Sequence, residues 1–175
     1  MNIYDINVMN IKVRKIDENL PDFKVTEKGD CVDLYASHIL KTANKQEWVE
    51  NLQKTGREYV GLKEVKYKQG DVLVIRLGFS MELPKGMKAN VYPRSSLFKN
   101  YGLLLTNSVG IIDNSYKGND DEWMAIFYCT RNGVINQYDR ILQFEIVPVM
   151  PKPTFEYVDS LDKDNRDGFG STGTK

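Results

Sequence analysis

Apolar residues recur at every second position from Leu73 to Leu83: Leu73, Ile75, Leu77, Phe79, Met81 and Leu83. Arg76, Gly78, Ser80 and Glu82 between them are polar or small. A period of two predicts a strand with one buried face. The same alternation joins Met9, Ile11 and Val13, and again Leu142, Phe144 and Ile146. Trp123–Cys129 is a short apolar run rich in aromatics and predicts a buried strand. Turn residues separate the runs, at Lys85-Gly86, Tyr101-Gly102, Lys117-Gly118-Asn119 and Arg131-Asn132-Gly133. The last lies between two β-like runs and predicts a hairpin. Many short strands at close spacing predict an all-β sandwich or barrel. One stretch, Gln46–Lys54, places Trp48, Val49 and Leu52 at helical spacing and predicts a short helix.

The composition changes after Tyr157. Ser160–Lys175 holds Asp, Asn, Lys, Gly and Thr, with Leu161 and Phe169 as its large apolar groups. Such a segment buries too little surface to fold alone. The expected organisation is therefore one β domain over 1–158 and a mobile arm over 159–175.

Length and charge narrow the function. A chain of 175 residues suits one domain with a core that needs neither disulfides nor a structural metal. The 24 Lys and Arg balance the 24 Asp and Glu, so a general nucleic-acid binder is not expected. No apolar run approaches the roughly 20 residues of a membrane span. Met1–Val8 has no basic start and no long apolar stretch, so a secretory signal is not expected there. Cys31 and Cys129 form no CxxC pair, which suits a reducing cytoplasm. The single histidine, His38, cannot build a multi-histidine metal cage and disfavours a Ser-His-Asp triad. Hydrolysis by this chain would rest on a carboxylate base.

Five segments carry candidate chemistry, each with a plainer reading beside it. Gly168-Phe169-Gly170-Ser171-Thr172-Gly173 could curl around an anion, with Phe169 covering a flat ring and Arg166 nearby; the other reading is a solvated Gly/Ser tail. Val109–Ile112 reads as a strand ending at Asp113, a place for a general base, with Tyr116 three residues on; the other reading is a turn opener and a packed ring. Arg94-Ser95-Ser96 offers a guanidinium and two hydroxyls to phosphate oxygens, or forms a surface turn. Asp33 stands near a strand start, where it could hold the water shell of Mg²⁺ or face solvent. Gln143 lies opposite Leu142 and Phe144, as a ligand contact or an exposed polar residue.

Taken in order, these segments resemble the five motifs of the trimeric dUTPase (deoxyuridine 5′-triphosphate nucleotidohydrolase) family. Asp33-Leu34 matches the first and Pro93-Arg94-Ser95-Ser96 the second. Gly110-Ile111-Ile112-Asp113 through Tyr116-Lys117-Gly118 matches the third. Asp139-Arg140-Ile141-Leu142-Gln143 matches the fourth, and Gly168–Gly173 the fifth. The resemblance implies a jelly-roll-like β-barrel, a homotrimer with sites between subunits, and C-terminal arms that close those sites. It implies hydrolysis of dUTP to dUMP and pyrophosphate with Mg²⁺, which limits uracil in DNA and supplies dUMP for thymidylate synthesis. By the same resemblance Asp113 activates water and Tyr116 packs under the deoxyribose. Asn107 and the backbone of Gly110, Ile111 and Ile112 read uracil. Arg94, Ser95, Ser96 and Gln143 meet phosphates, and Asp33 holds the metal through water. Phe169 stacks on uracil, with Arg166, Gly170, Ser171 and Thr172 near the terminal phosphates.

The chain departs from the commonest pattern in several places. Cys31 and Ser96 stand where glycines are usual, and Arg166 lies three residues before Phe169 instead of five. The stretch 37–68 is longer than the usual link and is read as an insertion. Asn119–Glu122 adds an acidic stretch, read as a polar turn. Longer members from Gram-positive bacteria and their phages are similar in these respects. Two alternatives follow. A dCTP deaminase-type relative on the same fold needs a glutamate base near the third motif, and Glu122 is the nearest. A regulatory trimer would bind a protein partner through 37–68.

Overall fold

β-branched and aromatic runs pack best on a pleated surface, and here they do fold as strands. The computed structural model describes residues 9–25, 27, 29–42 and 63–163. Among these the strands are β1 (Lys12–Lys15), β2 (Val32–Tyr35), β3 (His38–Thr42), β4 (Glu64–Tyr67), β5 (Val72–Arg76), β6 (Phe79–Glu82) and β7 (Met87–Pro93). They continue as β8 (Leu103–Leu105), β9 (Gly110–Ile112), β10 (Met124–Cys129), β11 (Gly133–Asn136) and β12 (Arg140–Pro148). One short helix, α1 (Leu97–Tyr101), follows β7. The class is all-β, as expected. The helix predicted at Gln46–Lys54 and the glycine-rich C-terminus lie outside the described residues.

Two antiparallel four-stranded sheets, ordered β3-β5-β10-β8 and β2-β12-β7-β9, make the body of the fold. The pairs β1-β6 and β11-β4 flank them. The ladders remain separate, so the arrangement is jelly-roll-like without one continuous ring of hydrogen bonds. Leu34, Ile75, Phe79, Phe127 and Leu142 are fully buried in the core. Phe79 and Trp123 lie 4.9 Å apart, and Trp123 meets Phe144 edge-on at 5.4 Å. The two ends of the 37–68 stretch are both paired: β3 with β5 in the body, and β4 with β11 beside it.

Two expectations change. The alternation from Leu73 to Leu83 predicted one strand with one wet face. The chain instead breaks at Gly78, where φ is +77°. Ile16 and Asp17 both donate their N–H to the Gly78 carbonyl, at 2.8 and 3.0 Å. β5 then stays with β3 and β10, while β6 pairs with β1. The polar face is covered by residues 119–122. Arg76 meets Glu122, and Ser80 Oγ donates to the Asn119 carbonyl at 3.1 Å.

The predicted hairpin at Arg131-Asn132-Gly133 does not form either. β10 pairs with β5 and β8, and β11 with β4. The turn residues are used elsewhere: Asn132 Oδ1 accepts from the Gln69 N–H at 2.9 Å, and Arg131 donates to the Lys99 carbonyl. Those contacts carry the chain from one ladder to another.

Candidate active site

The third-motif residues sit at a sheet edge. Among the described residues β9 pairs with β7 alone, with Val91 opposite Gly110 and Ala89 opposite Ile112. Just past Ile112 the chain turns, and the Tyr116 N–H donates to the Asp113 carbonyl at 3.0 Å. Asn114 Nδ2 bolts the turn to the Leu83 and Pro84 carbonyls, at 2.6 and 2.9 Å. Asp113 is exposed, so its carboxylate is open to water. Tyr116 is half-buried, and its hydroxyl donates to the Glu122 carbonyl at 3.0 Å. Burial pushes the Tyr116 phenol above its ordinary pKa. Ile112, Asp113, Tyr116, Glu122 and Trp123 line one cleft of about 370 Å³. Asn107 is exposed in the turn that precedes β9.

Glu122 is not in a solvated turn. It is 1% exposed, and its carboxylate meets Arg76 Nη1 at 2.7 Å and the Gly78 N–H at 3.0 Å. Both oxygens are thus engaged by fixed donors, which argues against a deaminating base there.

The first, second and fourth motifs meet at the other end of β7. Asp33 on β2 takes Arg94 Nε at 2.8 Å on one oxygen and Arg140 Nη1 at 3.2 Å on the other. Arg94 also donates its N–H to the Ile141 carbonyl at 3.2 Å, which ties the second motif to the fourth. Gln143 stands across from Tyr92 and Asp33, with Nε2 at 3.4 Å from the Pro93 carbonyl. Ser95 is exposed, and Ser96 heads α1. A cleft of about 330 Å³ opens here, lined by Tyr35, Arg94, Ser96, Tyr138 and Arg140 among others.

Tyr138 on its wall takes φ +66°, a costly conformation for a side chain with a Cβ. Its N–H donates to the Ala36 carbonyl at 2.6 Å and its hydroxyl to Asp17 Oδ2 at 3.0 Å. Burial and that bond push the Tyr138 phenol up to about 12. Burial alone would raise the Asp17 carboxyl. Hydrogen bonds from Ser37, the Asn19 N–H and Tyr138 outweigh it and hold the pKa below the usual value.

A single carboxylate shared with two guanidiniums is not a direct metal site. Among the described residues, no group of three or more His, Cys, Asp or Glu is placed to hold a metal ion. Both Asp33 oxygens are already engaged by guanidiniums, so this carboxylate is not free for direct ligation. Among the described residues, no helix is long and apolar enough to cross a membrane.

Within one copy the two clusters do not meet. Asp113 follows Ile112, which faces Ala89, so it lies level with Lys88. Arg94 is six residues further along β7, about 20 Å at the rise of a strand. Arg166, Phe169, Gly170, Ser171 and Thr172 lie outside the described residues. Sequence reasoning placed Glu122 in a polar turn and missed its burial against Arg76, the place of Trp123 on the cleft wall, and the pairing of Arg140 with Asp33. Arg140 was signalled by its place in the fourth motif. The others carried no local signal.

The dUTPase family model matches residues 54–173. The SPbeta prophage-derived deoxyuridine 5′-triphosphate nucleotidohydrolase YosS of Bacillus subtilis is 39% identical over 167 residues, covering 95% of this chain and 100% of that one. The deoxyuridine 5′-triphosphate nucleotidohydrolase of Maricaulis maris is 38% identical over 113 residues, 63% of this chain and 73% of that one. A mutant of a Staphylococcus bacteriophage 80alpha dUTPase, with dUpNHpp, shares the fold at TM-score 0.63 and 16% identity, covering 95% and 99% of the two chains. A dUTPase from phage phi11 of S. aureus, described with a structural Mg(II) ion, follows at TM-score 0.61 and 15% identity, covering 89% and 100%. Five motifs in order, a family model over most of the chain and a full-length relative agree: the chain belongs to the dUTPase family.

Proposed function

We propose that the protein hydrolyses dUTP to dUMP and pyrophosphate, at sites shared between copies of the chain. One observation carries the shared site: the carboxylate that would activate water and the guanidiniums that would hold phosphates lie at opposite ends of β7. Their backbone positions lie roughly 20 Å apart along the strand direction, more than one triphosphate spans. Two copies, each offering one end, close that gap. A homotrimer of the family type satisfies this. The exposed segment after β12, with Phe155, Tyr157 and Leu161 at 77, 95 and 81% exposure, supplies apolar surface for a neighbour to cover.

In this site Asp113 orients a water and takes its proton as the bond between the α- and β-phosphates breaks. Tyr116 packs under the deoxyribose and leaves no room for a 2′-hydroxyl. The backbone of Gly110, Ile111 and Ile112, with Asn107, reads the uracil edge, since a wrong edge leaves buried polar groups unpaired. From a second copy Arg94, Ser95, Ser96 and Gln143 hold the phosphates. Bound with the triphosphate, Mg²⁺ would supply charge neutralisation, and Asp33 would meet it through water. Phe169 covers uracil, while Arg166, Gly170, Ser171 and Thr172 close on the terminal phosphates. The reaction belongs in the cytoplasm, where it keeps dUTP out of DNA and furnishes dUMP.

The test is pyrophosphate release with Mg²⁺ from dUTP, dCTP, dTTP and UTP. Release from dUTP alone is expected, and Asp113→Ala should reduce kcat by about 10²–10⁴-fold. No release from dUTP by the native chain overturns the activity. Sedimentation at a monomer mass overturns the shared site.

A further inference from the structure

The sugar wall of the proposed site rests on a buried ion pair. We infer that Glu122, held by Arg76 and the Gly78 N–H, positions Tyr116 and so sets how strongly the site prefers deoxyribose to ribose. This rests on the reading of Tyr116 as the surface beneath the sugar.

Stability alone is a poor reason to bury Arg76 and Glu122, 3% and 1% exposed. Desolvating both charges offsets much of their attraction, and an apolar pair of similar volume often serves as well. What the pair supplies is a fixed backbone. Glu122 is held at both oxygens, by Arg76 Nη1 at 2.7 Å and the Gly78 N–H at 3.0 Å. The next residue is stitched to the same break in the sheet. Trp123 donates its N–H to the Phe79 carbonyl at 3.1 Å, and its carbonyl accepts from the Leu77 N–H at 2.9 Å. The Glu122 carbonyl between these anchors accepts the Tyr116 hydroxyl. Tyr116 is also tied to Asp113 through its own N–H. A continuous path therefore runs from the buried guanidinium through Glu122 to the ring, and the same turn carries the water-activating carboxylate.

A ribose differs from a deoxyribose by one hydroxyl. To admit it, the ring must move, and the cost of moving depends on how firmly the Glu122 carbonyl holds the phenol. Loosening that carbonyl should admit UTP while leaving dUTP turnover less affected. Glu122 is thus a positioning residue: it acts through Tyr116.

The experiment measures kcat/KM for dUTP and for UTP in four variants of the full chain. Arg76→Met/Glu122→Leu removes both charges together and leaves neither of the pair orphaned. Glu122→Asp keeps the charge but is too short to reach Arg76 and Gly78 at once, and serves if the paired variant fails to fold. Tyr116→Phe removes the tethered hydroxyl, and a triple variant combines it with the paired change. The dUTP-over-UTP ratio should fall about tenfold in each of the first three, the weight of one hydrogen bond. In the triple variant it should fall no further, because both changes cut one path. An unchanged ratio in a variant with a cooperative thermal transition overturns the inference, as does a triple variant whose losses multiply in full. A native chain that leaves dUTP intact overturns the underlying reading as well, and the two failures are told apart by that control.

Discussion

Two aspartates of the proposed site stand in opposite environments. Asp113 stands exposed at the end of an edge strand, ready to meet water. Asp33 spends its oxygens on Arg94 and Arg140 and holds both guanidiniums at the mouth of a cleft. Arg94 serves this arrangement as a fork: Nε binds Asp33, which leaves the Nη end toward the cleft and the Arg140 carbonyl. A lysine offers one point charge and cannot face both ways. Arg94→Lys should therefore raise KM for dUTP about tenfold, the weight of a charge-assisted hydrogen bond, with kcat changed less, as steady-state pyrophosphate release would show. Tyr138 carries a different kind of signature. Its phenol ionises near 12 in the fold, against an ordinary 10. A raised acid group contributes stability fully below the unfolded value and loses it as pH climbs toward the folded one. Tyr67, pushed up to about 12 chiefly by burial, acts in the same window. Stability should hold to about pH 10 and decline between 10 and 12. Tyr138→Phe should flatten that decline without abolishing it, as urea titrations at stepped pH would reveal.

At the level of elements, the break between β5 and β6 organises both the core and the cleft. Gly78 has φ +77°, and a Cβ there would lie 2.6 Å from Ser37 Oγ and 2.8 Å from Ser37 Cβ. Ser37 is itself buried and bonded to Asp17 at 2.5 Å, so it has nowhere to go. Gly102, which closes α1 at φ +65°, would meet the side chain of Arg131 instead, and a flexible exposed arginine can swing away. Both alanine variants carry the left-handed penalty of about 1–2 kcal/mol. Gly78→Ala should exceed it, at roughly 3 kcal/mol or more, while Gly102→Ala stays near it; chemical denaturation of the two proteins side by side decides this. The same break explains what the sequence could and could not tell. Leu73, Ile75 and Leu77 announce a strand because period two is a local property, and Asp113, Tyr116 and Arg94 announce themselves by matching motif positions. Arg76 and Ser80 read as solvent-facing because a polar residue in an alternating run is wet by default. Their cover comes from Asn119 and Glu122, some forty residues away, and no local pattern encodes that contact. Asn132-Gly133 misled for the same reason: a turn motif specifies a bend, and the partner of the strand that follows is chosen by tertiary packing.

At the scale of the whole molecule, the separation along β7 makes a prediction that no single copy can satisfy. Asp113→Ala removes the proposed water-activating group from one end of each chain. Arg94→Ala removes the proposed phosphate contact from the other end and leaves Asp33 still paired with Arg140. Each variant alone has every site damaged and should be inactive. If each site draws Asp113 from one copy and Arg94 from its neighbour, co-assembly in equal amounts rebuilds some sites intact. In a closed ring with random mixing, an intact site needs an Arg94→Ala chain to lend Asp113 and an Asp113→Ala chain beside it to lend Arg94. About a quarter of the sites meet that condition in a cyclic assembly. The co-expressed pair should therefore recover about a quarter of the native rate per site, whereas separately purified oligomers mixed without exchange should recover none. Sites complete within one copy would leave both mixtures equally inactive. The zero net charge of the chain favours the experiment, since copies with 24 cationic and 24 anionic side chains do not repel one another at long range. Recovery would also give the exposed apolar residues at 155, 157 and 161 a reason to exist, because a site divided between copies needs a neighbour held in register to complete it.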